Sequence, residues 1–390
     1  MSTAKDDLIA WRRRLHQTPE LSGQEVWTAR EVAAALERLA PDALVTGLGG
    51  QGVIARFGGA EPKLRLMLRC ELDGLPIAET NAFAHRSRTA GQGHLCGHDG
   101  HMAIVMGVAQ ALARKRSQHV DVSLLFQPAE ETGAGAQAVL DDPRFAMFVP
   151  DVAVALHNMP GLPMGQVALR AGAMCCASRG LRIALEGRTA HASQPETGLS
   201  PAGAMTEIMA GLQALNVASE PQAVPDRMAT VTHAVLGAPT FGVAPGAAEV
   251  FVTLRTIHDA GMQDLCDAAQ ALVQSVSVRH GLTVTWTWHD IFAATRNDAQ
   301  AAALVRRAVK GRGLDCVNLP QPMRWSEDFG RFGAVAPVAL FLLGAGQSTP
   351  ALHNPDYDFP DALIAVGVAA FLAIIAEVGS DTRGLCTRPR

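Results

Sequence analysis

Residues 93–101 bring three imidazoles, a thiol and a carboxylate into one short stretch, with small residues between them that let the backbone bend sharply. Cys96 and His98 are two residues apart, so both can face one ion from an extended segment, whereas on a helix they would diverge. Apolar residues recur at helical spacing over residues 99–116, which predicts a helix with Asp99 as its cap. The stretch therefore predicts a metal-binding or catalytic site where a loop meets a helix.

Strands and helices alternate along the first part of the chain, and polar residues repeatedly follow the predicted strands. Glu130 and Glu131 follow one such strand, and His157 comes directly after another. Ser22 and Glu25 form a capping-box pattern ahead of a helix predicted over residues 26–39. In open α/β sheets ligands bind beyond the carboxyl ends of the strands, so we expect these polar residues to meet there. The predicted strands are residues 52–57, 64–70, 120–126 and 152–156.

A different pattern, strand-helix-strand-strand-helix-strand, begins near residue 178 and predicts a compact α+β insertion. The first pattern resumes after about residue 291, with a strand over 338–344 and a buried C-terminal helix over 362–376. We therefore predict a first part of the main domain over 1–177, an inserted domain over 178–289 and a second part of the main domain over 290–390.

Composition excludes several classes of function. The net charge of −4 and pI near 6.3 offer no basic field for phosphate backbones, so we expect no nucleic-acid partner. The apolar run over residues 362–376 is too short to span a bilayer comfortably, and the first residues lack the apolar core of a signal peptide. Seven irregularly spaced cysteines suit a reducing compartment. We expect a cytoplasmic protein with no membrane partner.

Neutral and anionic donors suited to zinc, manganese, cobalt or nickel follow the predicted strands or lie in strand-end loops. The adjacent Glu130 and Glu131 permit a division of labour, in which one carboxylate binds metal and its neighbour moves protons. Pro128 and the glycines after the pair make this turn tight, which favours a site over a solvated acidic loop. The candidate donors are Cys96, His98, Glu131, His157 and His353.

Eight stretches, spread over nearly the whole chain and in the same order, resemble the dinuclear-metal aminoacylase and carboxypeptidase family. The resemblance is strongest to its branch of hippurate hydrolases, bacterial N-acyl-amino-acid amidohydrolases and plant indole-acetyl-amino-acid hydrolases. The stretches are residues 13–25 (RRLHQTPELSGQE), 68–76 (LRCELDGLP), 94–101 (HLCGHDGH), 126–133 (FQPAEETG), His157, 187–191 (GRTAH), 326–329 (SEDF) and His353 within LHNP.

This resemblance implies a metal-dependent amidohydrolase that cleaves N-acyl amino acids or related small amides. It implies a zinc-peptidase-like α/β catalytic domain with a mixed central sheet, plus a ferredoxin-like lid domain that forms a homodimer. Divalent ions, two per subunit, would be held by the five donors named above, with Glu130 as general base. His191, in the lid, would reach the partner's active site and stabilise the developing oxyanion.

On the substrate side the sequence departs from the branch at two positions. Glu71 stands where the branch usually has Asp. Gly242 stands where relatives commonly have an Asn that helps bind the terminal polar group of the substrate, so the chain lacks that side chain. Arg255, at the end of a predicted lid strand, is the candidate for binding a substrate carboxylate.

Two other interpretations of the cluster remain open at the level of sequence. Cys96 could be a nucleophile with His98 or His157 as its base, in an acyl transfer without metal. The cluster could also be a structural metal site in a binding or scaffold protein, although such sites are usually rich in cysteine and closed at four ligands. The spare carboxylate of Glu130 favours the hydrolase over both.

Overall fold

The computed structural model describes residues 4–217 and 224–380, without the side chains of residues 4–6. Its α-helices are α1 (Ala4–His16), α2 (Val26–Glu37), α3 (His98–Arg114), α4 (Gly135–Asp141), α5 (Ala202–Gln213), α6 (Asp259–Arg279), α7 (Ala299–Gly311) and α8 (Ala362–Ser380). Its strands are β1 (Ala43–Leu48), β2 (Gly52–Phe57), β3 (Leu64–Glu71), β4 (Val120–Gln127), β5 (Val152–Met159), β6 (Val167–Leu169), β7 (Gly172–Cys175), β8 (Ala177–Glu186), β9 (Ala190–His191), β10 (Arg227–Leu236), β11 (Val243–Ala244), β12 (Ala247–Thr256), β13 (Thr283–Phe292), β14 (Thr295–Asn297), β15 (Cys316–Asn318) and β16 (Val338–Gly344). Short 3-10 helices cover Pro143–Phe148, Pro195–Thr197 and Asp328–Ala334.

The chain divides into two compact units. The first comprises residues up to 174, residues 295–320 and residues from 328 onward, and the second comprises residues 175–294 and 321–327. The predicted division at 177 and 289 differs from this one by a few residues at each boundary, and it did not foresee that residues 321–327 join the second unit.

An eight-stranded sheet in the order β1-β2-β4-β3-β5-β16-β6-β15 forms the centre of the first unit. Its four neighbouring strands β4, β3, β5 and β16 are parallel, whereas β1, β2 and β6 add antiparallel pairings. Strand β16 is buried at every position, as expected of a parallel strand covered on both faces. The predicted α/β fold, with a mixed central sheet flanked by helices, is confirmed.

Helix α3 packs against β3, α1 and α8, and α8 also packs against α7. Gly367 allows the close approach of α8, because a Cβ at this position would overlap the side chain of Ile104 in α3. By length and composition α8 could also cross a membrane, but a core helix passes the same test, and Leu363, Phe371 and Ile374 are fully buried in the core. The predicted buried C-terminal helix is therefore present, and it extends to Ser380.

The second unit contains the antiparallel sheet β10-β12-β8-β13 and the helices α5 and α6. Exposure alternates along β12, whose Val250, Val252 and Leu254 turn inward toward a separate apolar core. Both helices pack against β12 and against each other. Apart from the two-residue strands β9 and β11 and one short 3-10 helix, the elements follow the order strand-helix-strand-strand-helix-strand that the sequence predicted.

The predicted capping box at Ser22 and Glu25 is wrong. Helix α2 begins at Val26, and neither side chain caps it. The N–H groups of Trp27 and Thr28 donate instead to the carboxylate of Glu20, at 3.1 and 2.8 Å. Ser22 and Glu25 make contacts with distant parts of the chain, and these override the local pattern.

The predicted cap at Asp99 is also wrong. Helix α3 begins one residue earlier, at His98, after Gly97 in the left-handed conformation with φ of 93°. Asp99 is buried in the first turn, where its carboxylate accepts hydrogen bonds from Arg12 Nε at 2.7 Å and from His16 Nδ1 at 2.9 Å. The guanidinium of Arg12 is fully buried and needs a paired anion. Asp99 therefore serves as the anion for Arg12 and not as the cap of α3.

Several elements were missed by the sequence analysis. Strand β1 and helix α4 had no predicted counterpart, and neither did β6, β7, β14 and β15. The last four are only three or four residues long, too short for a hydrophobic period to be read.

Candidate metal centre

The predicted metal ligands lie at the carboxyl-terminal edge of the four parallel strands. Glu131 follows β4, and His353 lies in the segment after β16. Cys96 and His98 lie where the connection from β3 enters α3. His157 lies inside β5 rather than beyond it, which corrects its predicted position. The topology thus brings together five side chains that are separated by up to 257 residues in sequence.

These donors form overlapping groups in which the ligand atoms lie within 4.8 Å of one another. One group holds Cys96, His98 and His157, and another holds Cys96, Glu131 and His353. Cys96 Sγ is 3.4 Å from His157 Nε2, and Glu131 Oε1 is 3.8 Å from His98 Nε2 and 3.7 Å from His353 Nε2. The structure therefore brings all five predicted ligands into one cluster.

Glu130 belongs to a third group, with His98 and Glu131. Its Oε2 is 3.9 Å from His98 Nε2, and the residue is only 5% exposed. Among the described residues of the first unit, Glu130 does not share a group with Cys96 or His353, whereas Glu131 does. The two adjacent carboxylates are therefore distinct in position, as a division between metal ligand and proton carrier requires.

Two of the histidines are oriented by hydrogen bonds on their far side. His98 Nδ1 donates to the carbonyl oxygen of Asp73 at 2.8 Å, and His157 Nδ1 donates to that of Asn158 at 2.8 Å. In the neutral rings Nε2 then carries the lone pair. His98 Nε2 is buried and has no hydrogen-bond partner among the described residues, an arrangement that suits a metal ligand and is costly without one.

His353 is the least enclosed of the five residues. Its side chain is 49% exposed, and its backbone has a φ of 66°, which a residue with a Cβ rarely adopts. Its N–H donates to the carbonyl oxygen of Leu95 at 2.8 Å, which ties the segment to the loop that carries Cys96. The backbone of Leu95 therefore helps to hold the strained conformation of His353.

A buried hydrogen-bond network supports the candidate ligands from beneath, and the sequence analysis did not assign it to the site. Arg69, fully buried in β3, donates to Gln127 at 2.9 Å, to Asp328 at 2.8 Å and to Glu71. Glu71 in turn accepts from His101 Nδ1 at 2.7 Å. Burial by itself would raise the pKa of Glu71, but Arg69 and His101 hold it well below its usual value.

The network continues to the backbone of Cys96. His101 Nε2 accepts from the backbone N–H of Asn158 at 3.0 Å, and the Asn158 amide donates to the carbonyl oxygen of Cys96 at 2.7 Å. Tyr357 donates its hydroxyl hydrogen to the Asn158 side chain. Arg69 and Glu71 within the apolar strand β3 were the sequence signal for this network, because buried charges require buried partners.

The turn that carries the two carboxylates has a strained backbone. Ala129 adopts a φ of 50°, which costs about 1–2 kcal/mol for a residue with a Cβ. Gly133 donates to the carbonyl oxygen of Glu130 at 2.8 Å and closes the turn. The N–H of Glu131 donates to Asp73 Oδ2 at 2.9 Å, so one aspartate orients both His98 and this turn.

The thiol of Cys96 does not have the environment of a free nucleophile. Burial, reinforced by the charges of Glu131 and Glu130, raises the pKa of Cys96 well above its usual value. A nucleophilic cysteine needs a lowered pKa, supplied by a neighbouring cation or a helix N-terminus. A bound cation would reverse this effect, because it stabilises the thiolate as a ligand.

The predicted substrate residues lie in the second unit, away from its core. His191 ends β9, which pairs with β11, and the N–H of Ala192 donates to the carbonyl oxygen of Gly242 at 3.1 Å. His191 and Gly242 are thus close together, and both are exposed. Ser193 donates to His191 Nδ1 from both its backbone N–H and its hydroxyl, at 3.1 and 2.8 Å.

Arg255 lies near the end of β12, where it is partly buried. Its Nη1 donates to Ser326 Oγ at 2.8 Å and to the carbonyl oxygen of Arg324 at 3.4 Å. Both partners are neutral, and burial lowers the pKa of Arg255. No carboxylate within the described residues pairs with this guanidinium, which leaves its charge available to an anion.

A thiol, three imidazoles and a carboxylate in one cluster, with a second carboxylate beside them, are the donor set of a metal-dependent hydrolase. The chain belongs to Peptidase family M20/M25/M40, whose pattern matches residues 67–377. It is a metal-dependent amidohydrolase of this family, as the resemblance in the sequence predicted.

Relatives extend over nearly the whole chain. The N-acetyl-L-cysteine deacetylase of Bacillus subtilis is 30% identical over 369 residues, covering 93% of this chain and 86% of the relative. The N-acetyldiaminopimelate deacetylase of Halalkalibacterium halodurans is 29% identical over 356 residues, covering 90% of this chain and 95% of the relative. The YXEP protein of Bacillus subtilis, described as a dinuclear metal binding peptidase from the M20 family, matches in structure with a TM-score of 0.79 at 26% identity, over 97% of this chain and 99% of that one.

Proposed function

We propose that this enzyme hydrolyses the amide bond of small N-acyl amino acids, and that N-acetyl amino acids are the first substrates to test. The observation that carries the proposal is the placement of Glu130 beside a cluster of five metal donors without sharing a group with Cys96 or His353. A carboxylate in this position can carry a proton during the reaction. The deacetylase relatives act on N-acetylated amino acids and support the choice of acyl group.

Two divalent ions per subunit would be held by the five donors, with Cys96 common to both groups. Zinc, manganese, cobalt and nickel all accept one thiolate among imidazole and carboxylate ligands. When bound, such ions lower the pKa of water and polarise a carbonyl oxygen. The buried Nε2 of His98 and the raised pKa of Cys96 support a cation at this place.

Glu130 takes a proton from the attacking water and returns it to the departing nitrogen. The water oxygen forms a bond to the acyl carbon, the C–N bond breaks, and the free amine leaves with the proton that Glu130 carried. His191 would donate a hydrogen bond to the developing oxyanion. Its imidazole suits that role because Ser193 donates to Nδ1, which leaves Nε2–H free to donate in the neutral ring.

Arg255 would bind the carboxylate of the amino acid, since neutral groups are its hydrogen-bond partners. Gly242 would line the same substrate region without contributing a side chain. Open space surrounds the position of a Cβ at Gly242, so the missing side chain leaves room for a larger substrate group.

We also propose that the second unit is a lid domain through which two subunits form a homodimer. The resemblance described above supports this assembly, and light scattering of the purified protein tests it: a stable, active monomer would contradict it. A cytoplasmic location is proposed on the cysteines. Within residues 4–217 and 224–380 every cysteine is a free thiol.

The test is amine release from a panel of N-acetyl and N-benzoyl amino acids and their amides. The protein is first freed of metal by chelation and then loaded separately with Mn(II), Zn(II) or Co(II). We expect release that depends on the metal and is lost on renewed chelation. Release that persists in chelator would favour the Cys96 nucleophile, and silence across the panel with metal bound would favour a non-catalytic metal protein.

A further inference from the structure

Residues 21–25, here called the N-terminal hook, lie beside residues 129–133, the turn that carries Glu130 and Glu131 and is here called the acidic turn. More than 100 residues separate the two segments in sequence. Leu21 forms a parallel bridge with Gly74, which places the hook next to the segment after β3. The hydroxyl of Ser22 donates to Asp73 Oδ2 at 2.7 Å, the same oxygen that accepts the N–H of Glu131. The hook therefore reaches one of the groups that orient the metal donors.

Glu25 makes the second contact of the hook. The residue is fully buried, and its Oε1 accepts the backbone N–H of Ala129 at 2.7 Å and that of Gly23 at 2.9 Å. Ala129 is the residue with the left-handed backbone that directly precedes Glu130. A backbone in that conformation persists only where its surroundings hold it. The carbonyl oxygen of Ala129 accepts from the nearby N–H of Gly135, and the Glu25 carboxyl group supplies the hydrogen bond to the Ala129 N–H from outside the turn.

The other carboxyl oxygen of Glu25, Oε2, is buried without a hydrogen-bond partner in the part of the chain that the structure describes. Burial, together with the nearby charge of Asp73, raises the pKa of Glu25 to about 7. If Glu25 served only the stability of the fold, an apolar side chain at this position would serve better, because it would avoid the cost of desolvating a carboxyl group. The contact with Ala129 gives a reason for a polar side chain here.

We propose that Glu25 is a positioning residue, which holds the turn at Ala129 so that Glu131 points at the metal and Glu130 at the reacting groups. Its role needs an acceptor oxygen and not a negative charge. The proposal rests on the proposed metal centre, but it does not depend on the identity of the substrate. It explains why the apparent capping box does not cap α2, since Glu25 is used at the site.

The test uses Co(II) alone as the probe, in the full chain without substrate. Co(II) affinity is measured by titration, and its visible absorption reports the ligand geometry around the ion. Glu25→Ala removes the acceptor, and we expect Co(II) binding to weaken by about 10–100-fold, the usual effect of losing a partner of a metal ligand. The visible bands should shift, while the charge-transfer band from Cys96 remains, because Asn158 holds that residue separately.

Glu25→Gln keeps an acceptor oxygen and should restore Co(II) affinity to within about threefold of the unaltered protein. Glu20→Ala is the matched control, because Glu20 is a nearby carboxylate that caps α2 and does not contact the turn. It should lower the melting temperature by about 2–4 °C and leave Co(II) binding unchanged.

Unchanged Co(II) affinity and spectrum in Glu25→Ala would overturn the proposal, as would equal weakening in Glu25→Gln. Failure of the unaltered chain to bind Co(II) would overturn both this inference and the metal centre. If the unaltered chain binds Co(II) but hydrolyses no amide, the proposed substrate is wrong while the variants still decide the role of Glu25.

Discussion

Cys96, His98 and His157 in the first unit are at most 8% exposed, whereas His191 and Gly242 in the second unit are exposed on two short paired strands. Behind the first group lies a continuous buried network that orients the rings and the backbone. Behind the second group lie mainly backbone pairing and the contacts of Ser193 with His191. The candidate ligands are thus fixed from several sides, and the candidate substrate residues are fixed from one.

This difference indicates which properties of the enzyme can vary independently. A change among the buried candidate ligands disturbs partners in several strands, because the interior is close-packed and its polar groups are paired. A change at an exposed position such as Gly242 disturbs little, because a Cβ there would meet no atom within 4 Å. We therefore expect the first unit to set metal binding and the rate of the chemical step, and the second unit to set substrate preference.

The largest effect should come from Glu130→Gln. The amide cannot accept the proton of water, so we expect kcat to fall by about 10³-fold while bound metal, measured by elemental analysis, stays the same. Glu131→Gln is the matched control, and it should lose metal as well as activity. Near-normal turnover in Glu130→Gln would remove the basis for the proposed division between the two carboxylates.

His191→Ala should lower kcat by about 100-fold with unchanged metal content, because one donor to the oxyanion is lost. Mixing this variant with Glu130→Gln offers a sharper measurement. If His191 acts across a dimer, subunit exchange builds some sites with both side chains intact, and activity should reappear in the mixture. Persistent inactivity after exchange would place His191 in the site of its own subunit or outside the reaction.

Arg255→Ala should raise KM about 30-fold for N-acyl amino acids, corresponding to about 2 kcal/mol for a charged hydrogen bond. The KM for the matching amides should not change, and kcat and metal content should remain near those of the unaltered protein. Arg255→Lys should recover part of the loss because the positive charge is kept. An equal rise for acids and amides would exclude carboxylate binding by Arg255.

The smallest effect concerns the pH dependence of stability. The pKa of Glu25 is raised to about 7 in the folded protein from an ordinary value of 4.5, so folding favours the protonated form. Its contribution to the free energy of unfolding is full below pH 4.5 and is lost as pH rises through 7. The free energy of unfolding of Glu25→Gln, relative to that of the unaltered protein, should therefore rise by about 1 kcal/mol from pH 6 to pH 8.

Urea unfolding of both proteins in chelator, at the two pH values, measures this difference. Because the two proteins share all other titrating groups, the difference between their free energies of unfolding isolates the contribution of Glu25. A difference that does not change with pH would mean that Glu25 titrates alike in the folded and unfolded chain.

Much of the fold was predictable because it depends on local periodicity. The parallel strands β3, β4, β5 and β16 are near-continuous apolar runs, and the order of elements in the second unit followed from alternating patterns. The candidate ligands were predictable because thiol, imidazole and carboxylate groups cluster near the predicted strand ends and at the start of a predicted helix. Family resemblance named the same residues, and the structure brings all five together.

The sequence by itself determined the kinds of donor, which are set by residue identity. It also determined that the donors lie near the ends of strands, because a strand is recognised from the pattern of neighbouring residues. Only the tertiary structure decided what holds them: Arg69 and Glu71 beneath the cluster, Asp99 paired with Arg12, and Glu25 on the acidic turn instead of on α2. These contacts join residues far apart in the chain. Burial then makes a polar side chain take the partner that the fold offers, whatever role its local pattern suggests.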